Sequence, residues 1–197
     1  MIFGLIATGK TTLAQTLGRE QGWPVIHSDA VRKTLAGLAP STRVAEDFGK
    51  GIYSAEFSRR TYEEMLRQAR QYLEAGAPVI LDGSFKRSQD RRAVRKLAQD
   101  LGVHLAFIYC TCNPTEVQHR LAQRRENLQA ISNGRPEILA AQQQDFDILD
   151  DLKGWPLLEL DTGRPPETVL REVEEFLESL THAKGGCDGT GGNYCPS

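Results

Sequence analysis

Residues Gly4-Leu5-Ile6-Ala7-Thr8-Gly9-Lys10-Thr11 fit the pattern G-x-x-x-x-G-K-[ST], which restricts what can surround it. Glycines at both ends let the backbone turn inward, so that successive amides point at phosphate oxygens. Gly4, Ala7, Thr8, Gly9 and Thr12 are therefore expected to line a nucleotide's phosphates. Lys10 is expected to bring its charge to the β- and γ-phosphates, and the Thr11 hydroxyl to ligate Mg²⁺. A helix starting near Lys10 directs its positive dipole end at the same anion, with Leu13, Ala14 and Leu17 as its apolar stripe. Such a loop follows a buried strand. Only Met1, Ile2 and Phe3 precede Gly4, where strands usually run about five or six residues.

Further along, strand and helix patterns alternate. Trp23 to His27 reads as a second strand, followed by a helix from about Ala30 to Leu38. Ser41 to Tyr53 has weak periodicity and reads as loop. Ser54 caps a long helix to about Ala75, buried through Phe57, Thr61, Met65, Ala69 and Leu73. Pro78 to Leu81 is a continuous apolar run, as in a strand covered on both faces, and Asp82 ends it. A helix opening at Ser88 and a strand from Val103 to Cys110 come next. Asn113-Pro114-x-Glu116 combines an N-cap, a proline at the first helical position and a capping-box glutamate. Pro136 starts a helix to about Asp150, Leu157 to Leu160 forms the fifth strand, and Pro165-Pro166-Glu167 opens the last helix. This alternation predicts an α/β fold in three α/β/α layers around a parallel five-stranded sheet. The expected domain spans residues 1–181, with a helical lid at about 120–136 and a disordered glycine-rich tail at 182–197.

With 24 Lys and Arg against 26 Asp and Glu, the net charge of −2 argues against a whole-surface affinity for duplex nucleic acid. No stretch has the length of a membrane-spanning helix or the basic flank of a signal peptide, so the expected location is the cytoplasm, as a monomer or small homo-oligomer. Cys110, Cys112, Cys187 and Cys195 lack metal-site spacing, and a reducing compartment disfavours a disulfide framework.

Ligands of such sheets bind at the carboxyl ends of the strands, where Gly4–Thr11, Asp29, Asp82 and Thr162 are expected to converge. Asp82, ending Val79-Ile80-Leu81, has the form of a Walker B carboxylate that holds Mg²⁺ or orients the acceptor; the alternative is a turn-forming Asp before Gly83. Asp29 and Arg32 form D-x-x-R. Asp29 can take the proton of an acceptor hydroxyl while Arg32 holds an anionic group of that acceptor; against this stands a plain N-cap with Arg32 in solvent. Arg120, Arg124 and Arg125 lie where a phosphate-sensing lid would lie. Arg124 is the first choice for the transferring phosphoryl, with Arg120 on the nucleotide and Arg125 outward.

Four segments, His27-Ser28-Asp29-Ala30-Val31-Arg32-Lys33, Leu35–Leu38, Gly51-Ile52-Tyr53-Ser54 and Val79–Phe85, together resemble a predicted-kinase family of P-loop ATPases over residues 1–180. That family occurs alone or fused behind an aminoglycoside-phosphotransferase-like domain, and is similar to polynucleotide kinases, gluconate kinases and zeta toxins. The resemblance implies the P-loop NTPase fold and an Mg-ATP site at Gly4–Thr12. It also implies a base at Asp29 with Arg32 on the acceptor, and an adenine-side loop at Asp161-Thr162-Gly163-Arg164-Pro165. Ala7 stands where a glycine is common in this loop. The expected activity is transfer of the γ-phosphoryl of Mg-ATP to a hydroxyl of a small molecule. A polynucleotide 5′-hydroxyl kinase, or a nucleotide-binding regulatory module without an acceptor, are the alternatives.

Overall fold

A computed structural model describes residues 1–40, 42, 44, 50–126, 139 and 144–182, without the side chains of 124–126 and 182. Its centre is a parallel sheet of β1 (Ile2–Gly4), β2 (Val25–His27), β3 (Ile80–Gly83), β4 (Phe107–Thr111) and β5 (Leu157–Asp161), in the order β2-β3-β1-β4-β5. The short β1 is buried along its whole length between β3 and β4, with Ile2 opposite Asp82 and Ile108, and Gly4 opposite Cys110. Two paired neighbours compensate for its three residues.

Alternation along the strands sends side chains to two cores. Ile2, Ile80, Ile108 and Leu160 pack against α1 (Lys10–Gln21) and the last helix, α6 (Pro166–His182), through Leu13, Leu17, Val169 and Val173. Phe3, Leu81 and Phe107 point the other way, onto α3 (Ala55–Glu74) and α4 (Ser88–Leu101), through Met65, Ala69, Val94 and Leu97. The predicted three-layer α/β/α P-loop NTPase architecture is present. In a smaller cluster, Ile6 and Ala7 of the phosphate loop rest on Val117 and Leu121 of α5 (Pro114–Glu126).

Several boundaries differ from expectation. The second helix, α2 (Ser28–Leu35), begins directly after β2 with Asp29 in its first turn and gives way before Gly37, whose φ is 73°. Residues 103–106 do not join β4, because β1 and β5 offer partners only from Phe107 onward. The helix expected to reach Asp150 does not: Asp145 lies in a turn, 146–148 are non-helical and a 3₁₀ turn occupies Leu149–Leu152. There Asp147 N–H donates to Lys86 O at 2.9 Å, and Arg91 takes the carbonyls of Asp147 and Ile148 that a helix would use. Asn113 caps α5 as predicted, its Oδ1 accepting from Glu116 N–H at 2.9 Å. The Glu116 carboxylate does not complete a capping box with Asn113; it binds Arg120 Nε at 2.7 Å. The last helix, α6, runs to His182, the first residue of the tail predicted at 182–197; the rest of that tail and the lid beyond 126 lie outside the described residues.

Candidate active site

The phosphate loop leaves the sheet at Gly4, where φ is 145° and a β-carbon would collide with the carbonyl oxygen of Cys110 on β4. Gly9, at φ 74°, caps α1 without a side-chain bond, and the first helical bond runs from Leu13 N–H to Gly9 O at 3.0 Å. The preceding amides, Thr12 included, are the group that a helix start presents to an anion. Within the loop, Thr8 Oγ1 donates to Leu5 O at 2.8 Å and Lys10 Nζ donates to the same oxygen at 2.7 Å. Ala7 adopts φ 61°, the left-handed conformation that a glycine takes freely and that costs an alanine about 1–2 kcal/mol.

Parallel pairing of β1 with β3 brings Asp82 beside the loop, where Thr11 Oγ1 donates to its Oδ2 at 2.8 Å. His27 Nδ1 lies 2.8 Å from the same oxygen, an outcome of the His27–Asp82 register between β2 and β3. Asp82 is only 3 % exposed, and its other oxygen, Oδ1, is buried with no hydrogen-bond partner among the described residues. A buried carboxylate oxygen without a donor is costly, and a cation relieves it. The hydroxyl, the carboxylate and the orphaned oxygen together fit Mg²⁺, which is commonly held by one or two protein oxygens plus phosphates and water.

On α2, Asp29 Oδ1 accepts from Tyr53 Oη at 3.1 Å. Its Oδ2 lies 2.9 Å from Lys33 Nζ, an ion pair whose angles are not those of a hydrogen bond. Lys33, four residues on in α2, is wholly buried and also donates to Pro40 O at 3.0 Å. Arg32 is neither solvated nor turned toward Asp29. Its NH1 donates to Ile52 O at 2.7 Å and to Ser58 Oγ at 3.0 Å, and its guanidinium lies over the Tyr53 ring at 5.2 Å. The side chain expected to hold an anionic acceptor thus joins α2 to the turn at Gly51–Tyr53 and to α3.

Arg120 crosses from α5 to the phosphate loop. Its NH1 donates to Thr162 Oγ1 at 3.1 Å and to Ala7 O at 3.5 Å, and its NH2 to Thr162 O at 2.7 Å. Thr162 Oγ1 in turn donates to Thr8 O at 2.9 Å. Arg164 turns elsewhere, to Asp161 O at 3.1 Å and to Glu172 of α6 at 2.6 Å. The backbone of Arg124 continues α5 one turn beyond Arg120, with its side chain outside the described residues. Burial pushes the Cys110 thiol up to about 12, so it is an inert core residue.

Gly4, Ala7, Thr8, Gly9, Lys10, Thr11, Asp82 and Arg120 are thus gathered at one end of the sheet, next to the helix that carries Asp29. Thr162 lies at the strand ends as expected, whereas Lys33, Tyr53 and His27 were not singled out from the sequence as site residues. Only Lys33 carried a readable signal, its i, i+4 spacing from Asp29.

Residues 1–149 match the model of a family described as an AAA domain. The chain belongs to that family. Uncharacterised proteins of Mycobacterium tuberculosis and Mycobacterium bovis are 31% identical to it over 147 residues, 75% of this chain; the chain spans 30% of the length of those relatives. Among solved structures, a sugar kinase from Janibacter sp. HTCC2649 superposes with a TM-score of 0.65 at 17% identity, covering 90% of this chain and 92% of that one. A gluconokinase from Sinorhizobium meliloti 1021 gives 0.64 at 16%, covering 95% of each chain. The complex of the Mycobacterium tuberculosis APS kinase with AMPPNP and APS gives 0.59 at 18%, covering 90% and 95%. At these identities the likeness establishes the fold alone, the three-layer P-loop NTPase fold, for this AAA-domain chain.

Proposed function

We propose that this chain is an ATP-dependent kinase that transfers the γ-phosphoryl of Mg-ATP to a hydroxyl of a small-molecule acceptor. The observation that carries the reading is the 2.8 Å bond from Thr11 Oγ1 to Asp82 Oδ2, which joins two motifs 71 residues apart while Asp82 Oδ1 has no donor among the described residues. The loop and the strand-end carboxylate thus meet near His27, directly before the helix that carries Asp29, which supports this reading. The fold shared with sugar, gluconate and APS kinases supports the same reading.

In this mechanism the loop amides and Lys10 hold the β- and γ-phosphates, Lys10 leaving its bond to Leu5 O for the phosphates. Thr11 and Asp82 would hold Mg²⁺, which would supply positive charge against the phosphates. Asp29, fixed by Tyr53 and Lys33, accepts the proton of the acceptor hydroxyl as that oxygen bonds to the γ-phosphorus. The bond from the γ-phosphorus to the bridging oxygen breaks, and ADP departs. Arg120 lies against the loop on the nucleotide side, and Arg124 is the candidate for charge on the transferring phosphoryl. Arg32 acts on the acceptor side through the Ile52–Tyr53 backbone that it anchors, since its NH1 is already committed there.

An ATP-consumption screen over sugars, aminoglycosides, nucleosides and oligonucleotide 5′-hydroxyl ends tests the proposal. Acceptor-dependent ADP formation is expected with a small hydroxyl compound. Lys10→Ala should lower it by about 10²–10³, the usual loss of one preorganised electrostatic contact. Response to oligonucleotide ends alone, with steep salt dependence, identifies a polynucleotide kinase instead. Acceptor-independent release of phosphate across the panel identifies a regulatory ATPase.

A further inference from the structure

We infer that Thr162 is a positioning residue that holds the phosphate loop in its binding conformation from the base side of the nucleotide. The loop needs such a hold, because Ala7 occupies φ 61° without being glycine. An alanine there relaxes unless something outside the loop retains the peptides on either side.

Thr162 supplies that restraint. It is 7 % exposed and follows β5 directly. Its amide donates to Thr111 O at 3.0 Å, which fixes its backbone to the end of β4. Its hydroxyl reaches Thr8 O at 2.9 Å and Thr111 O at 3.1 Å, the shorter bond going to the phosphate loop. Arg120 NH1 donates into the same hydroxyl oxygen at 3.1 Å, which turns the proton toward those carbonyls. Packing agrees with the bonding: a β-carbon on Gly9 would lie 3.1 Å from both Thr162 Oγ1 and Arg120 NH1. Residues 7–9 are therefore held by bonds to the carbonyls of Ala7 and Thr8 and by close packing at Gly9. The side chains responsible come from α5 and from the segment after β5, so the base side and the phosphate side form one mechanical unit.

The inference rests on reading Gly4–Thr11 as a phosphate site, and the test separates the two. Isothermal titration of Mg²⁺-tripolyphosphate, which has no base, is compared with Mg-ATP. Thr162→Val removes the hydroxyl at nearly constant volume. It is expected to weaken both ligands by the same factor, about three- to tenfold for one lost hydrogen bond, while Thr162→Ser restores both. Thr162→Ala gives the same pattern and serves where Thr162→Val does not fold. If ATP weakens and tripolyphosphate does not, Thr162 acts on the base and the inference fails. Unchanged affinities with only a lowered thermal midpoint assign it a purely structural role and also overturn the inference. Absence of tripolyphosphate and ATP binding in the wild type overturns the phosphate-site reading itself.

Discussion

Ala7 and Phe85 are the described non-glycine residues with positive φ, at 61° and 40°, and they flank the site on the phosphate loop and just after Asp82. Phe85 is held by Tyr62, whose hydroxyl accepts its amide at 3.1 Å, and by Arg91, which donates to its carbonyl at 2.9 Å. Strain of this kind persists where surrounding contacts over-determine the backbone. At Gly4 the constraint is steric: Gly4→Ala is expected to cost about 2–3 kcal/mol in urea unfolding, because the Cys110 carbonyl belongs to a central strand and cannot retreat. At this scale the loop and the strand-end Asp82 were legible as patterns because those patterns lie in local spacing. The partners of Arg32 were not, because Ile52 O and Ser58 reach it only through the packing of α2 on α3.

Among the elements, the segment 144–152 shows how a side chain can override a helical pattern. Arg91 on α4 is completely buried and bonds Asp151 with both Nε and NH2 as well as the carbonyls of Phe85, Lys86, Asp147 and Ile148. It ties the chain after Asp145 to the loop that follows β3, and no periodicity rule anticipates a helix ended by an arginine from another element. Removing one partner of a buried pair leaves an uncompensated charge, so Arg91→Met is expected to lose about 3–5 kcal/mol, read from the urea midpoint. The neighbouring Asp90 gives a pH signature. Burial pushes its carboxyl up to about 6, against the opposing charges of Arg91, Arg87 and Lys86. Its folded value lies above its unfolded one, so the contribution is fully present below the ordinary carboxylate range near about 4 and is lost as pH rises through about 6. Asp90→Asn should therefore be more stable than wild type at about pH 8, with the gap closing toward about pH 4 in thermal unfolding.

For the molecule as a whole, strand order and register decide what the motifs can do together. The alternation of strands and helices was readable, and with it the three layers. The placement of β1 between β3 and β4 was not, although it is what sets Thr11 against Asp82. Nucleotide binding should be visible in global stability: Mg-ATP at about 100 times its Kd adds about 2.7 kcal/mol, or about 5–10 °C in Tm for a domain of this size. Lys10→Met should remove most of that shift. Where the γ-phosphoryl goes is followed directly by ³¹P NMR of the turnover mixture with an accepted hydroxyl compound. A phosphomonoester resonance should grow in step with ADP in the wild type, and both should fall together in Asp29→Asn. Growth of inorganic phosphate alone, with no monoester from any hydroxyl compound, would contradict the account.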